Sequence, residues 1–217
     1  MGKGDRLMLN FYTDLWQDVD SSATVSPYCP GFDIYMMYAL PFGKSKFSFD
    51  LGLGIGTHNL RSDAIPENEL KFDVPSSEYV ETGRTIFSRI PGSVNSNEIE
   101  YDINKLTLTY FDIPLELRYK AENKKGKAIK FAVGFKTGYL LNSHTKYKGD
   151  DPTGSGADIK NKTFRIRNIE SLRYGVTLRF GYGMYNVFGF YSLTKLFETN
   201  KGPEMYPVSV GICITPF

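Results

Sequence analysis

The stretch that decides the fold is Leu172-Arg173-Tyr174-Gly175-Val176-Thr177-Leu178-Arg179-Phe180-Gly181-Tyr182-Gly183. Leu172, Tyr174, Val176, Leu178, Phe180 and Tyr182 form one set of alternate positions, and Arg173, Gly175, Thr177, Arg179, Gly181 and Gly183 the other. A period of two puts the sets on opposite faces of a β-strand. Glycine alternating with arginine makes a poor solvent surface but fits a narrow lumen, and the bulky apolar face then has lipid as its solvent. Small and charged residues inside, with aliphatic and aromatic residues outside, is the pattern of a transmembrane β-barrel.

The same pattern recurs on both sides of this stretch. Phe47, Phe49, Leu51, Leu53 and Ile55 alternate with Ser48, Asp50, Gly52, Gly54 and Gly56. Ile129, Phe131, Val133, Phe135, Thr137, Tyr139 and Leu141 alternate with Lys130, Ala132, Gly134, Lys136 and Gly138. Mixed or weaker alternation marks strands at Leu7 to Leu15, Phe32 to Leu40, Val187 to Leu196 and Tyr206 to Thr215. The run from Leu106 changes phase, with Leu106, Leu108 and Tyr110 on even positions and Phe111, Ile113, Leu115, Leu117 and Tyr119 on odd ones. A β-bulge near Tyr110 is expected to bring both sets to the lipid side.

The count is about eight strands, an even number that closes an antiparallel ring. Connections alternate in length. Those after the second, fourth and sixth strands are short, including Pro41-Phe42-Gly43-Lys44-Ser45, Ala121 to Lys127 and a turn at Tyr185-Asn186. Polar stretches from Thr57 to about Asn104 and from Asn142 to about Lys162 read as long loops. Outer-membrane barrels place short turns at the periplasmic end and longer loops outside. The expected fold is therefore a closed antiparallel transmembrane β-barrel of about eight strands, a single domain over residues 1–217. A soluble lipocalin-like barrel is the structural alternative.

Composition agrees with this reading. Aromatics reach 15% of 217 residues, with 15 Tyr and 16 Phe against one Trp, while mean hydropathy is −0.30. No apolar run approaches the roughly 18 residues of a membrane-spanning helix, so a crossing must use strands of about 9 to 11 residues. Phe11, Tyr12, Tyr38, Tyr110, Phe111, Tyr119, Tyr139, Tyr182 and Tyr185 are placed to form interfacial aromatic belts. The net charge of +2, spread along the chain, leaves no footprint for nucleic acid. Met1-Gly2-Lys3-Gly4 lacks the apolar core of a secretory signal, and the expectation for an envelope protein is a mature or engineered form. Cys29 and Cys213 fit no disulfide framework or metal-ligand spacing and are expected to be free.

Several motifs resemble those of the PorT-like small outer-membrane β-barrel proteins of Bacteroidetes. They are Phe47-Ser48-Phe49 leading to Gly52-Leu53-Gly54-Ile55-Gly56, Phe111-Asp112-Ile113-Pro114-Leu115-Glu116-Leu117-Arg118-Tyr119, Gly134-Phe135-Lys136-Thr137-Gly138-Tyr139, Arg173-Tyr174-Gly175 and Tyr191-Ser192-Leu193 with Leu196-Phe197. The terminal Phe217 belongs to the same pattern, although it is out of phase with Val210, Ile212 and Ile214, and a bulge at Pro216 would restore it. The likeness runs over nearly the whole chain and implies an outer-membrane barrel, with one member of the family acting in type IX secretion. It implies no active-site residues and no cofactor.

The inward charges make the one constellation that spans several strands: Asp50, Asp112, Glu116, Arg118, Lys130, Lys136, Arg173 and Arg179. Eight strands enclose an interior that side chains just fill, so these charges are expected to pair as a lumen network, with Glu116 meeting Arg173 or Arg179. His58 and His144, read as lying just beyond strand ends with Asp63 and Ser143 nearby, make a loop-borne hydrolase or acyltransferase conceivable. Asp150, Asp151 and Asp158 match no calcium-loop spacing. The expected function is that of a non-enzymatic envelope component in outer-membrane lipid, docking to protein partners in a secretion or assembly complex. A narrow channel for small solutes is the alternative.

Overall fold

An apolar outward face and a charged inward one suit a sheet closed on itself, and the computed structural model shows that closure. It describes residues 7–74, 77–94, 97–122 and 128–216. The strands are β1 (Leu7–Gln17), β2 (Pro30–Pro41), β3 (Phe47–Arg61), β4 (Ala64–Asp73), β5 (Glu78–Arg89), β6 (Ser93–Val94), β7 (Asn97–Glu98), β8 (Tyr101–Glu122), β9 (Ala128–Asp150), β10 (Asp158–Phe164), β11 (Leu172–Tyr182), β12 (Tyr185–Ser192) and β13 (Tyr206–Ile214). Antiparallel pairing runs β9-β11-β12-β13-β1-β2-β3-β8, and β8 pairs back to β9. Eight strands thus form a closed ring, which removes the unpaired edges that an open sheet would expose.

The faces follow the expected polarity over most of the ring. On β11 the residues Leu172, Tyr174, Val176, Leu178, Phe180 and Tyr182 are exposed, whereas Arg173, Gly175, Arg179 and Gly181 are buried inside. Phe180 is 60% exposed, Val187 62% and Met36 74%, too many large apolar surfaces in one belt for a water-facing wall. Cys29 and Cys213 are buried and form no disulfide.

Several expectations need correction. The stretch from Thr57 to Asn104 is not a loop: β3 continues to Arg61, and β4 and β5 form a hairpin over the mouth of the ring. The stretch from Asn142 to Lys162 is likewise a hairpin, since β9 runs on to Asp150 and pairs with β10. These segments look polar because their outward faces are not in lipid. The turn between β11 and β12 is Gly183-Met184, with Tyr182 opposite Tyr185, so Asn186 lies on β12 and points inside.

The fourth correction concerns the phase change. Leu106, Leu108 and Tyr110 point inward and are buried, in phase with Asp112, Pro114, Glu116 and Arg118. A bulge does lie at Tyr110, as expected, but on the partner strand: Thr109 pairs with Asn142 and Tyr110 with Leu140, so the extra residue is Leu141 on β9. Beyond it, Ser143, Thr145 and Tyr147 turn inward. The reason is a change of filling, because an apolar plug of Leu60, Leu106, Leu108, Phe87, Ile169 and Met205 occupies this end of the ring. Tyr12 and Tyr110 belong to the interior as well and not to the aromatic belts. Phe217, Met1 to Gly4 and most of the turn from Ala121 to Lys127 lie outside the described residues.

Candidate functional site: the interior of the ring

Below the apolar plug the interior is mixed: Met8, Tyr12, Tyr35, Met37, Phe188 and Phe190 pack as a second cluster beside charged groups arranged in two tiers. In the lower tier Asp50 Oδ2 forms an ion pair with Arg118 Nη1 at 2.7 Å, and Ser48 Oγ donates to the same carboxylate at 2.6 Å. Glu116 Oε2 takes Arg118 Nη2 at 3.0 Å and Arg179 Nη2 at 2.6 Å. Lys130 Nζ donates to Thr215 Oγ1 at 3.0 Å. β3 supplies Ser48 and Asp50, β8 supplies Glu116 and Arg118, and the Glu116–Arg179 pair joins β8 to β11, which are not neighbours in the ladder.

The upper tier is built around Asp112 and Asp33. Arg173 Nη2 reaches both oxygens of Asp112 at 2.8 and 3.0 Å, and the Tyr35 hydroxyl donates to Oδ2 at 2.8 Å. Lys136 Nζ stands 3.5 Å from Asp33 and 3.8 Å from Asp112. It also lies over the Phe190 ring at 4.1 Å, and the Arg173 guanidinium lies 4.0 Å from the Tyr110 ring centre. Aromatic faces therefore supply part of the cations' surroundings where carboxylates do not. Of the two partners expected for Glu116, Arg179 is the one it meets; Arg173 is engaged by Asp112 one tier up.

Four members of this tier escape a reading based on charge alternation in the best strands. Asp14 and Tyr12 sit on β1, Asp33 on β2 and His58 on β3, all buried. His58 Nδ1 lies 2.9 Å from Asp14 Oδ2, and Nε2 faces the Tyr12 hydroxyl at 3.1 Å. Tyr12 in turn reaches Asp33 Oδ1 at 2.7 Å, and Ser209 Oγ donates to Asp14 at 2.6 Å. The signal was present in the sequence, because Asp14, Asp33 and His58 all fall in phase with the inward faces of their strands. His58 is thus an inward residue of a ring strand and not a loop residue, and solvent does not reach it.

Close packing of these groups requires absent side chains opposite them. A Cβ at Gly138 would lie 2.1 Å from Asp112 Oδ1, and one at Gly56 would lie 2.6 Å from both Asp112 Oδ2 and Asp33 Oδ1. Among the described residues, one interior cavity of about 10 Å³ is lined by His58, Tyr110 and Arg173 among others, and another of about 20 Å³ by Tyr35, Glu116 and Arg179 among others. Each has room for about one water.

The remaining candidates lie at the mouth. His144 is half-buried on β9 against Phe164, with ring centroids 5.6 Å apart, and partial burial followed by the Lys162 and Lys105 charges holds its imidazole below the usual histidine range. Ser143 beside it points inward and accepts the Ile166 amide at 3.0 Å. Asp63 is engaged by Arg89 at 3.1 Å and by the Thr24 amide at 2.6 Å. Asp150 accepts the Glu100 amide, and Asp151 accepts Thr153 N and Ser155 Oγ, bonds that hold its carboxyl below the usual range. No group of three metal-ligating side chains occurs among the described residues.

A closed ring of eight antiparallel strands, with an apolar outer belt and a paired ionic interior, defines an integral β-barrel of the bacterial outer membrane. The chain belongs to the outer membrane protein beta-barrel domain family, whose model matches residues 15–198. No curated protein and no solved structure matches the chain.

Proposed function

We propose that this is a non-enzymatic, non-conducting outer-membrane component of the PorT-like kind, which docks to protein partners of an envelope secretion or assembly complex. Short connections such as Phe42 to Lys46 and Gly183-Met184 mark the periplasmic end, and the two hairpins mark the cell surface. The observation that carries the docking reading is the β4–β5 hairpin. Its base is fixed to the mouth by Thr85, whose amide donates to the Lys201 carbonyl at 2.8 Å and whose Oγ1 donates to the Arg167 carbonyl at 3.2 Å. Its far end leaves Leu70, Phe72, Val74, Tyr79 and Val80 exposed, from 49% to 77%. A fixed base and an exposed apolar tip suit an anchor for a partner's pocket.

The test is isolation from native membranes in mild detergent, comparing the parent with a variant carrying Phe72→Ser, Val74→Ser and Tyr79→Ser. The parent is expected to bring down a partner at fixed stoichiometry, and the variant to lose it while keeping its heat-modifiable migration. A partner retained by the variant, or a parent that comes down alone, overturns the docking role of the tip.

A further inference from the structure

Above the apolar belt, β3, β8, β9 and β10 lie side by side, and their register lines up like charges. Arg61 is opposite Lys105, Lys105 is opposite Lys146, and Lys146 is opposite Lys162. One rung farther from the belt, Lys148 is opposite Lys160. The row is on the outer wall, because Asn104 and Leu106 flanking Lys105, and Thr145 and Tyr147 flanking Lys146, are buried on the inner side. Like charges directly opposite destabilise a sheet, so four cations across four strands oppose the fold that holds them.

Little nearby offsets them. Lys148 has Asp102 as its salt-bridge partner. Lys105 donates to the neutral Asn59 Oδ1 at 3.0 Å, and partial burial together with Arg61, Lys146 and Lys162 lowers its ammonium pKa. Arg61 lies over the Tyr28 ring at 5.8 Å and Lys162 over Phe164 at 4.6 Å, which holds both heads at the wall. The acidic residues of the β9–β10 hairpin, Asp150, Asp151 and Asp158, lie toward its tip and away from the row. Lys146 lies five residues beyond Leu141, the last outward leucine of β9. With strands tilted about 40°, that is roughly 13 Å along the barrel axis, outside the hydrocarbon but continuous with the lipid-facing wall.

We propose that the row Arg61, Lys105, Lys146 and Lys162 binds the phosphorylated sugar headgroup of a glycolipid in the outer leaflet. The proposal rests on the surface-facing orientation of the hairpins given above. Phosphates spaced along a sugar match cations spaced one strand apart, and an anion bound between them relieves the repulsion that the row otherwise carries. The lipid chains would lie along the apolar belt directly below, so headgroup and tails meet one continuous surface.

The test is a thermal melt of the full chain in a neutral detergent at low salt, titrated with a bisphosphorylated, acylated glucosamine disaccharide. Controls are the same lipid without phosphates and inorganic triphosphate. The phosphorylated lipid is expected to raise the midpoint, and both controls to raise it little. In a Lys146→Gln, Lys162→Gln variant the apparent affinity should fall about fivefold for each cation removed. Without lipid the variant should melt at the same temperature as the parent or higher, which shows that it folds. An equal response to the dephosphorylated lipid, an unchanged affinity in the variant, or a triphosphate response equal to that of the lipid overturns the proposal. Protease access to the tip between Asp151 and Ala157 on intact cells tests the orientation separately. Access only after permeabilisation overturns the orientation, whatever the titration gives.

Discussion

At the residue scale the interior shows how burial turns charge into geometry. A lone buried ion is expensive, and two buried ions are tolerable only when they are paired and hydrogen-bonded. Glu116 serves two arginines with one oxygen, at 2.6 and 3.0 Å, so its removal takes away the carboxylate that Arg118 and Arg179 share, while Arg118 keeps Asp50 and Arg179 keeps Asn186. Glu116→Gln is expected to destabilise the folded barrel by about 3–5 kcal/mol. The measurement is the temperature at which the heat-modifiable band shifts on a gel, which should fall well below that of the parent. By contrast Arg167→Gln breaks a mostly exposed pair with Glu81 at 2.7 Å and should leave that temperature unchanged within error. Equal shifts for the two variants would mean that the interior pair has no special role.

At the element scale the inward glycines decide how closely the strands' polar groups approach. Gly138 on β9 faces Asp112 on β8 in register, and the carboxylate occupies the space a methyl would take. Gly138→Ala therefore pushes Asp112 away from Arg173, or Arg173 away from its place over Tyr110. The expected outcome is a cost of about 1–3 kcal/mol from overpacking in a site with no slack, read as a lower unfolding midpoint in detergent. Gly43, which has φ +59° and no atom near its missing Cβ, belongs to a tight turn. Gly43→Ala strains the backbone without touching the interior, so it should change the midpoint without the loss of interior pairing that Gly138→Ala produces. Tyrosine fluorescence from Tyr110 and Tyr35 is a readout of that pairing. The Leu141 bulge is the other device at this scale, since it turns β9 from a strand with lysines inside to one with Ser143, Thr145 and Tyr147 inside.

At the scale of the whole molecule two solvents set the design. The outer belt is apolar because lipid bathes it, and the ring must close because lipid offers no partner to an unpaired backbone group. Among the described residues the interior is filled by two ionic tiers, a second apolar cluster around Tyr35 and Phe190, and the apolar plug, and two cavities between them measure about 10 and 20 Å³. Purified protein in planar bilayers is expected to show no unitary conductance. A stable conductance in the parent would overturn the non-conducting reading, because current cannot pass through a packed interior without displacing Arg173 or Glu116.

Sequence alone determined the strands, their inside and outside faces over the belt, the closed antiparallel ring and the membrane that surrounds it. It could do so because alternation is local: each residue's face follows from its neighbours two places away, and lipid makes the outward face unmistakable. The set of inward charges was legible for the same reason, though Asp14, Asp33 and His58 went unassigned where alternation was mixed or where β3 was read as too short. Tertiary structure decided what alternation cannot carry. Which cation meets Asp112 and which meets Glu116 depends on levels set by the register of strands far apart in sequence. Above the belt, where the outward face meets water or headgroups instead of hydrocarbon, the polarity signal disappears, and two hairpins look like loops. There the inward filling turned from ionic to apolar, and the phase of Leu106, Leu108 and Tyr110 was fixed by the core they enter. Leu172 to Tyr182 needed no such help, because along its length one face is in lipid and the other is packed against charge.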